Sequence, residues 1–119
     1  MDARQIMENI VKSADDKKAQ NITVLDIGGL TTLCDYFVIC EGGSSTQVKA
    51  IADEVEEKLS EQGVQVNGIE GFSSADWILM DYGDAVLHIF TPQSREFFNI
   101  ENLWSDGKPV DIENIINVQ

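Results

Sequence analysis

The first 40 residues carry one helical pattern followed by two strand-like runs. In residues 3–18 the apolar positions recur every three or four residues, which predicts a helix with one buried face. These positions are Ile6, Met7, Ile10, Val11 and Ala14. Asp2 and Gln5 have the spacing of a capping box at the start of this helix. The branched residues of 22–27 and the unbroken apolar run of 36–40 predict two strands, the second buried on both faces.

A glycine- and serine-rich turn at residues 42–45 leads into a second helical pattern. Its apolar positions again recur every three or four residues. Ser44 and Gln47 have capping-box spacing at its start, and Gly63 has the position of the glycine that commonly follows a helix. A short strand is expected within residues 64–70.

Residues 77–81 and 85–90 are both strand-like and are separated by a short turn, which predicts a compact hairpin. Thr91 followed by Pro92 predicts a helix start, because threonine can cap a helix and proline fits its first turn. We expect that helix to run toward Trp104.

This order of elements predicts an α/β (α+β) fold in which a mixed β-sheet is flanked by helices. The length of 119 residues fits one domain. We assign the domain to residues 1–104 and a C-terminal tail to residues 105–119, because the composition becomes loop-like after Trp104. We expect the tail to pack back on the core. Such a fold hosts many functions, so it does not decide between them.

The charge of the chain changes this picture more than any other composition feature. Asp and Glu number 21 against 8 Lys and Arg, a formal net charge of -13. A protein that grips phosphates needs a cationic surface, so this field opposes binding to nucleic acid or to an anionic membrane. A basic protein is the favoured partner, although acidic composition by itself only promotes solubility.

The two cysteines and the amino terminus indicate a reducing compartment. Cys34 and Cys40 have no zinc or disulfide-framework spacing, and we expect both to be reduced and near a core. The amino terminus lacks a signal pattern, and no apolar run is long enough to span a membrane. The prediction is a cytoplasmic protein.

The turn at residues 42–45 is the strongest candidate for catalysis, since backbone amides at a helix start can hold phosphate. It resembles the Gly-Ser turn of nucleotidyltransferases, which also need two carboxylates on one strand face to hold two metal ions. Asp81 and Asp84 straddle a turn instead, so the carboxylate set is incomplete. Two interpretations of the turn remain. It is either a structural helix start, or part of a metal-dependent nucleotidyltransferase with an atypical site, which is the alternative function. His88 shares a strand face with apolar neighbours and is expected to be a hydrogen-bonded packing residue.

The predicted hairpin carries large apolar groups on both faces. Trp77 and Leu79 share one face, and Ile78 and Met80 share the other. In a chain this short the helices can leave one face uncovered, and that face would then bind a partner. A hairpin covered on both faces fits the pattern equally well.

Several segments together resemble one family. They are residues 35–40 (DYFVIC), 47–53 (QVKAIAD), 68–71 (GIEG), 76–84 (DWILMDYGD), 88–90 (HIF), 95–98 (REFF) and 103–104 (LW). In this order and with these gaps they resemble the ribosomal silencing factor family, also called the Iojap or RsfS family. The match extends from the first helix to Trp104 and does not include the tail.

The resemblance implies a nucleotidyltransferase-like fold without the catalytic carboxylates, and no enzymatic activity, cofactor or metal. It implies binding to the large ribosomal subunit through its fourteenth large-subunit ribosomal protein, at the face where the small subunit docks. Translation would then be repressed by blocking subunit association when nutrients are scarce. A homodimer when free is also implied. The expected partner-binding residues are Glu70, Trp77, Met80, Asp81, Tyr82, Asp84 and, at the rim, Arg95.

Overall fold

Five helices and six strands lie within residues 1–116, the part of the chain that the computed structural model describes. The helices are α1 (Ala3–Asp16), α2 (Ser45–Glu61), α3 (Pro92–Phe98), α4 (Ile100–Leu103) and α5 (Glu113–Ile116). The strands are β1 (Gln20–Asp26), β2 (Tyr36–Glu41), β3 (Gly68–Glu70), β4 (Trp77–Asp81), β5 (Ala85–Phe90) and β6 (Lys108–Val110). From α1 to β5 they agree with the expected elements in kind and order, whereas the α3–α4 break and strand β6 were not expected.

The six strands form one sheet in the order β3-β4-β5-β2-β1-β6. The central pair, β2 and β5, is parallel, and every other neighbouring pair is antiparallel. The predicted mixed sheet flanked by helices is therefore confirmed. A parallel pair needs a long connection, and the chain between β2 and β5 supplies it with α2 and the strands β3 and β4.

Both long helices begin with side-chain caps. At α1 the Asp2 carboxylate accepts from the Gln5 amide N–H, and the Gln5 side chain accepts from the Asp2 N–H, which completes the predicted capping box. At α2 the Ser44 hydroxyl accepts from the Gln47 N–H. The Gln47 side chain does not reach back to Ser44 as expected, but donates to the Lys17 carbonyl and so joins α2 to the end of α1.

The core has two parts, one on each side of the sheet. The larger part lies between α1, α2 and the sheet, and it includes Ile78 and Met80, both with no exposed surface. The smaller part lies on the opposite side and contains Ile27, Phe90 and Ile100, with Trp77 packed against it. The β4–β5 hairpin is thus fully covered by the long helices on one face and partly covered on the other.

The helix that starts at Thr91 is shorter than expected. Thr91 caps it by accepting from the Ser94 N–H, and Pro92 occupies its first turn as predicted. Asn99 then adopts a left-handed conformation with φ of 45°, which ends α3 and starts α4. The predicted continuous helix toward Trp104 is wrong because a left-handed residue redirects the backbone.

The segment assigned to the C-terminal tail packs against the rest of the fold as far as Ile116, the last residue described. Its strand β6 pairs antiparallel with β1 at the edge of the sheet. Ile115, in α5, is 6% exposed and belongs to the core under α1. Residues 108–116 therefore contribute both sheet pairing and apolar burial.

Arg95 joins α3 to strands β1 and β2 and to α4. Its guanidinium donates to the Glu41 carboxylate at 3.0 Å, the Glu101 carboxylate at 2.9 Å, the Asn21 carbonyl at 2.7 Å and the Thr23 hydroxyl at 3.2 Å. The side chains of Arg95 and Glu41 are only 13% and 12% exposed. A buried ion pair of this kind depends on complete hydrogen bonding, which the four acceptors provide.

We expect Arg95→Ala to lower the free energy of unfolding by about 3 kcal/mol, because Glu41 would remain buried without a counter-ion. Arg95→Lys should lose less, since an ammonium keeps the charge but cannot reach all four acceptors. Urea denaturation measures both. Arg4→Ala is the matched control, because its pair with Glu8 is surface-exposed and should contribute less than about 1 kcal/mol. Equal losses for Arg95→Ala and Arg4→Ala would contradict the assigned role.

Candidate functional site

An apolar groove of about 340 Å³ lies on the sheet face that α1 and α2 leave uncovered. We call it the sheet-face groove. Its apolar lining consists of Ile27, Leu33, Phe37, Leu79, Val86 and Trp104. A neighbouring depression of about 230 Å³ shares Glu70 and Leu79 with the groove and extends the surface to Trp77. Together they form one continuous concave surface.

Strand register explains why these side chains meet. In the antiparallel β4–β5 pair, Leu79 lies opposite His88 and Trp77 lies opposite Phe90. In the parallel β2–β5 pair, Phe37 lies opposite Val86. Side chains of directly paired residues share a sheet face, so three strands contribute to one surface.

Aromatic rings form the floor and one wall of the surface. The Trp77 ring stacks on Phe90 with centroids 5.1 Å apart and lies 4.8 Å from Phe98 of α3. The centroid of the Phe37 ring lies 4.6 Å from that of His88 and 5.2 Å from that of Trp104, and both pairs are edge to face. Such contacts hold large rings in fixed positions, which lowers the entropy cost of using them as binding anchors.

His88 lies within this aromatic cluster and is 4% exposed. Its Nδ1 accepts a hydrogen bond from the Trp77 indole N–H at 3.1 Å. Burial lowers the pKa of His88 from 6.5 to about 4, so the ring is neutral at pH 7. The expectation of a hydrogen-bonded packing histidine is confirmed.

Carboxylates surround one end of the groove. Glu70 and Asp81 line it directly, and Asp81 also accepts from the Gly83 N–H at 2.8 Å, which fixes the hairpin turn. Asp84 is exposed in that turn. Burial, followed by the charges of Asp81, Asp35 and Asp84, raises the pKa of the Cys34 thiol in the groove wall. The field at this end is therefore negative.

The seven residues expected to contact a partner divide into two groups. Glu70, Trp77, Asp81 and Asp84 lie on or beside the sheet-face groove. The other three are Met80, Tyr82 and Arg95.

The expected contacts of these other three residues need correction. Met80 has no exposed surface and Tyr82 is 5% exposed, both within the core under the long helices. Arg95 is not a free rim residue, because its guanidinium is engaged by four acceptors. None of the three presents a free binding group in this conformation.

Several groove residues were not singled out from the sequence. Strand alternation did place Leu79 on the face of Trp77. Phe37 and Val86 become neighbours only through the parallel pairing of β2 with β5, which no local pattern specifies. Trp104 reaches the groove because the chain turns at Asn99.

The features considered for catalysis do not assemble into a metal centre in the described part of the chain. A Cβ at Gly42 would come within 2.9 Å of the Gln47 side chain and 3.0 Å of the Val48 nitrogen, so Gly42 packs closely on the start of α2. Gly43 is open, and it lines a surface pocket together with Lys17, Lys18 and Gln47. Within residues 1–116 no three His, Cys, Asp or Glu side chains are placed to hold a metal ion. The same residues contain no helix with the length and apolarity needed to cross a membrane.

Comparisons with known proteins give one consistent result. A family model described as "Ribosomal silencing factor during starvation" matches residues 1–119. The chain is 41% identical to the ribosomal silencing factor of Bacillus subtilis over 113 residues, which cover 95% of this chain and 96% of that protein. It is 38% identical to the factor of Halalkalibacterium halodurans over 117 residues, covering 98% of this chain and all of that protein.

More distant relatives and solved structures agree. The chloroplastic protein Iojap of Zea mays is 31% identical over 104 residues, which are 87% of this chain and 45% of that protein. A crystal structure of a Chromobacterium violaceum protein superposes with a TM-score of 0.87 at 38% identity, covering 92% of both chains. A Bacillus halodurans crystal structure superposes with a TM-score of 0.82 at 37% identity, covering 91% of this chain and 98% of that one.

The depressed pKa of His88 predicts a specific pH dependence of stability. Between pH 6.5 and about 4 the unfolded chain binds a proton that folded His88 does not bind. Stability should therefore fall as the pH drops through this window, and His88 should contribute about 3 kcal/mol of that loss. Urea denaturation of wild type and His88→Gln across the window isolates this contribution. Identical pH slopes for the two proteins would show that His88 is not held neutral by burial.

Proposed function

This chain belongs to the ribosomal silencing factor family, and on that premise we propose that it represses translation by binding the large ribosomal subunit and blocking association with the small subunit. The proposed contact is a basic protein at the intersubunit face, the fourteenth large-subunit ribosomal protein, as the family resemblance implies. The observation that carries the proposal is the sheet-face groove, an apolar surface with aromatic anchors and an acidic end.

Charge supports a protein partner over RNA. Glu70, Asp81 and Asp84 would face the partner, and the whole chain carries a formal net charge of -13. RNA phosphates would be repelled by this field, whereas Lys and Arg side chains of a ribosomal protein would be attracted. Charge complementarity also accelerates encounter, which favours a factor that must reach free large subunits before small subunits do.

The proposed mechanism is steric occupancy, with no covalent step. A stable blocker must bury about 1,200 to 2,000 Å² in total, and a few aromatic or large apolar anchors normally supply most of the energy. Trp77 and Leu79 on β4 are the proposed anchors, because both are partly exposed on the open sheet face. The rigid sheet beneath them reduces the entropy lost on binding.

The proposal includes a homodimer when the protein is free. Several large apolar side chains are exposed, among them Phe97 at 81%, Leu103 at 76% and Leu33, which lines the groove, at 84%. Large exposed apolar side chains are typical of interaction surfaces when they form a contiguous patch. Sedimentation velocity over a range of protein concentrations distinguishes a dimer from a monomer.

A nucleotidyltransferase with an atypical metal site is the alternative from a different class. It predicts metal-dependent binding of a nucleoside triphosphate, which isothermal calorimetry measures with and without Mg²⁺. The bacterial relatives of this chain are named silencing factors, which describes a regulatory role. Saturable, metal-dependent nucleotide binding would favour the enzyme and count against occupancy as the complete mechanism.

We expect Trp77→Ala to weaken binding to purified large subunits by at least about 2 kcal/mol, because a large aromatic anchor would be lost from the contact. Co-sedimentation with large subunits at fixed salt measures the affinity. Circular dichroism at the same temperature must show that the variant is folded, since Trp77 also packs on Phe90. Wild-type affinity in the folded variant would contradict the site.

A charge-reversal pair gives the matched control. Glu70→Lys and Glu57→Lys change the net charge equally, and both residues are exposed, but Glu57 lies on α2 across the sheet from the groove. Only Glu70→Lys should slow association markedly, because it reverses a charge beside the proposed contact. Equal effects of the two variants would indicate that overall charge, and not this surface, governs binding.

A further inference from the structure

His88 carries a hydrogen-bond donor that no part of the described chain satisfies. The Trp77 indole N–H can only donate, so the Nδ1 atom that it contacts must be the unprotonated nitrogen of His88. A neutral imidazole then carries its hydrogen on Nε2. Within residues 1–116 this Nε2 has no hydrogen-bond partner, and the residue is 4% exposed.

A buried donor without an acceptor is unfavourable and uncommon in folded proteins, so its persistence needs a reason. The side chains that pack around His88 cannot satisfy it. Phe37 and Phe90 offer only aromatic rings, and Val86 and Leu79 are aliphatic. The fold thus fixes the tautomer through Trp77 and leaves the opposite nitrogen buried without a partner, in a residue that lines the sheet-face groove.

The acidic end of the groove restricts what can supply the acceptor. Glu70 and Asp81 line the same groove, so a carboxylate or phosphate oxygen entering it would meet like charge. An uncharged oxygen carries no such penalty. A backbone carbonyl is the most suitable acceptor, since it brings no donor that would itself need a partner in an apolar groove.

We propose that His88 is a recognition residue: a basic polypeptide segment seated in the sheet-face groove displaces the side chains that cover Nε2, and the Nε2–H then donates to a backbone carbonyl of that segment. The proposal rests on the proposed function, in which that segment belongs to a large-subunit ribosomal protein. The segment would place an apolar side chain against Leu79 and Val86 and cationic side chains near Glu70 and Asp81. Binding would satisfy a donor that the free protein leaves unpaired. The hydrogen bond would thereby fix the position of the segment along the groove, while Glu70 and Asp81 select for its positive charge.

Two substitutions separate the two nitrogens of the ring. In His88→Asn the side-chain oxygen can take the place of Nδ1 and accept from Trp77, but the donor toward the groove is lost. In His88→Gln the longer side chain can place its amide N–H near the position of Nε2, but the bond to Trp77 is weakened. Both variants lose the ring, and His88→Gln also loses part of the bond to Trp77, so a higher affinity of His88→Gln than of His88→Asn can only come from the groove donor.

We expect His88→Asn to raise the dissociation constant for purified large subunits roughly 5- to 100-fold, because the partner carbonyl would be buried unpaired. His88→Gln should recover most of the wild-type affinity. Equal weakening of the two variants would show that the ring acts only by packing, and wild-type affinity in His88→Asn would show that no bond forms. Either result overturns the proposal.

A measurement on the wild-type chain keeps the proposal testable if a variant does not fold. Nitrogen-15 spectra of the histidine ring should show the Nε2–H tautomer in the free protein, and a downfield, exchange-protected Nε2–H when large subunits or the isolated basic protein bind. An unchanged resonance in the saturated complex overturns the proposal.

Leu79→Ala distinguishes an error in the role of His88 from an error in the proposed function. If Leu79→Ala weakens binding and His88→Asn does not, only the role of His88 falls. If wild-type protein does not bind large subunits at all, the proposed function and the role of His88 fall together.

Discussion

The alternation of side chains along the β4–β5 hairpin is the constraint on which the rest of the structure depends. Because successive residues point to opposite faces, Ile78 and Met80 are committed to the core under the long helices. Trp77 and Leu79 are then committed to the other face, where only short helices and loops offer cover. A shift of one residue in register would exchange the two sets and lose both the core and the binding surface.

Partial cover of the second face connects the fold with the proposed function. The Arg95 network holds α3 against β1 and β2, and Trp77 is supported by Phe98 and Phe90 but remains partly exposed. The groove beside it stays open and acidic at one end. A rigid, partly apolar and negatively charged surface suits recognition of a cationic protein, and recognition followed by occupancy is sufficient for a silencing factor.

Local signals in the sequence were enough to predict most elements, and four of the seven expected partner contacts lie on or beside the groove. Caps at Asp2 and Thr91, helical spacing and strand alternation are all encoded within a few neighbouring residues, and the structure confirms them. Met80 and Tyr82 were assigned to the partner surface because they stand in the same motif as Trp77. Strand alternation, applied strictly, would have excluded Met80.

The remaining differences come from contacts between residues distant in the sequence. Arg95 resembled a rim residue because its acceptors Asn21 and Glu41 are 74 and 54 positions away. The groove itself needs β2 beside β5, a parallel pairing across an intervening helix and two strands. The break at Asn99 depends on a left-handed conformation that a capped helix pattern does not reveal.

The measurement that tests the account most directly is subunit joining in the presence of increasing amounts of the purified protein. Separated large and small subunits are mixed, and joined ribosomes are counted by sucrose-gradient sedimentation. The account predicts that joining falls in proportion to the fraction of large subunits occupied, and that preincubation with the large subunit is more effective than preincubation with the small one. Undiminished joining when every large subunit carries the protein would contradict occupancy as the mechanism.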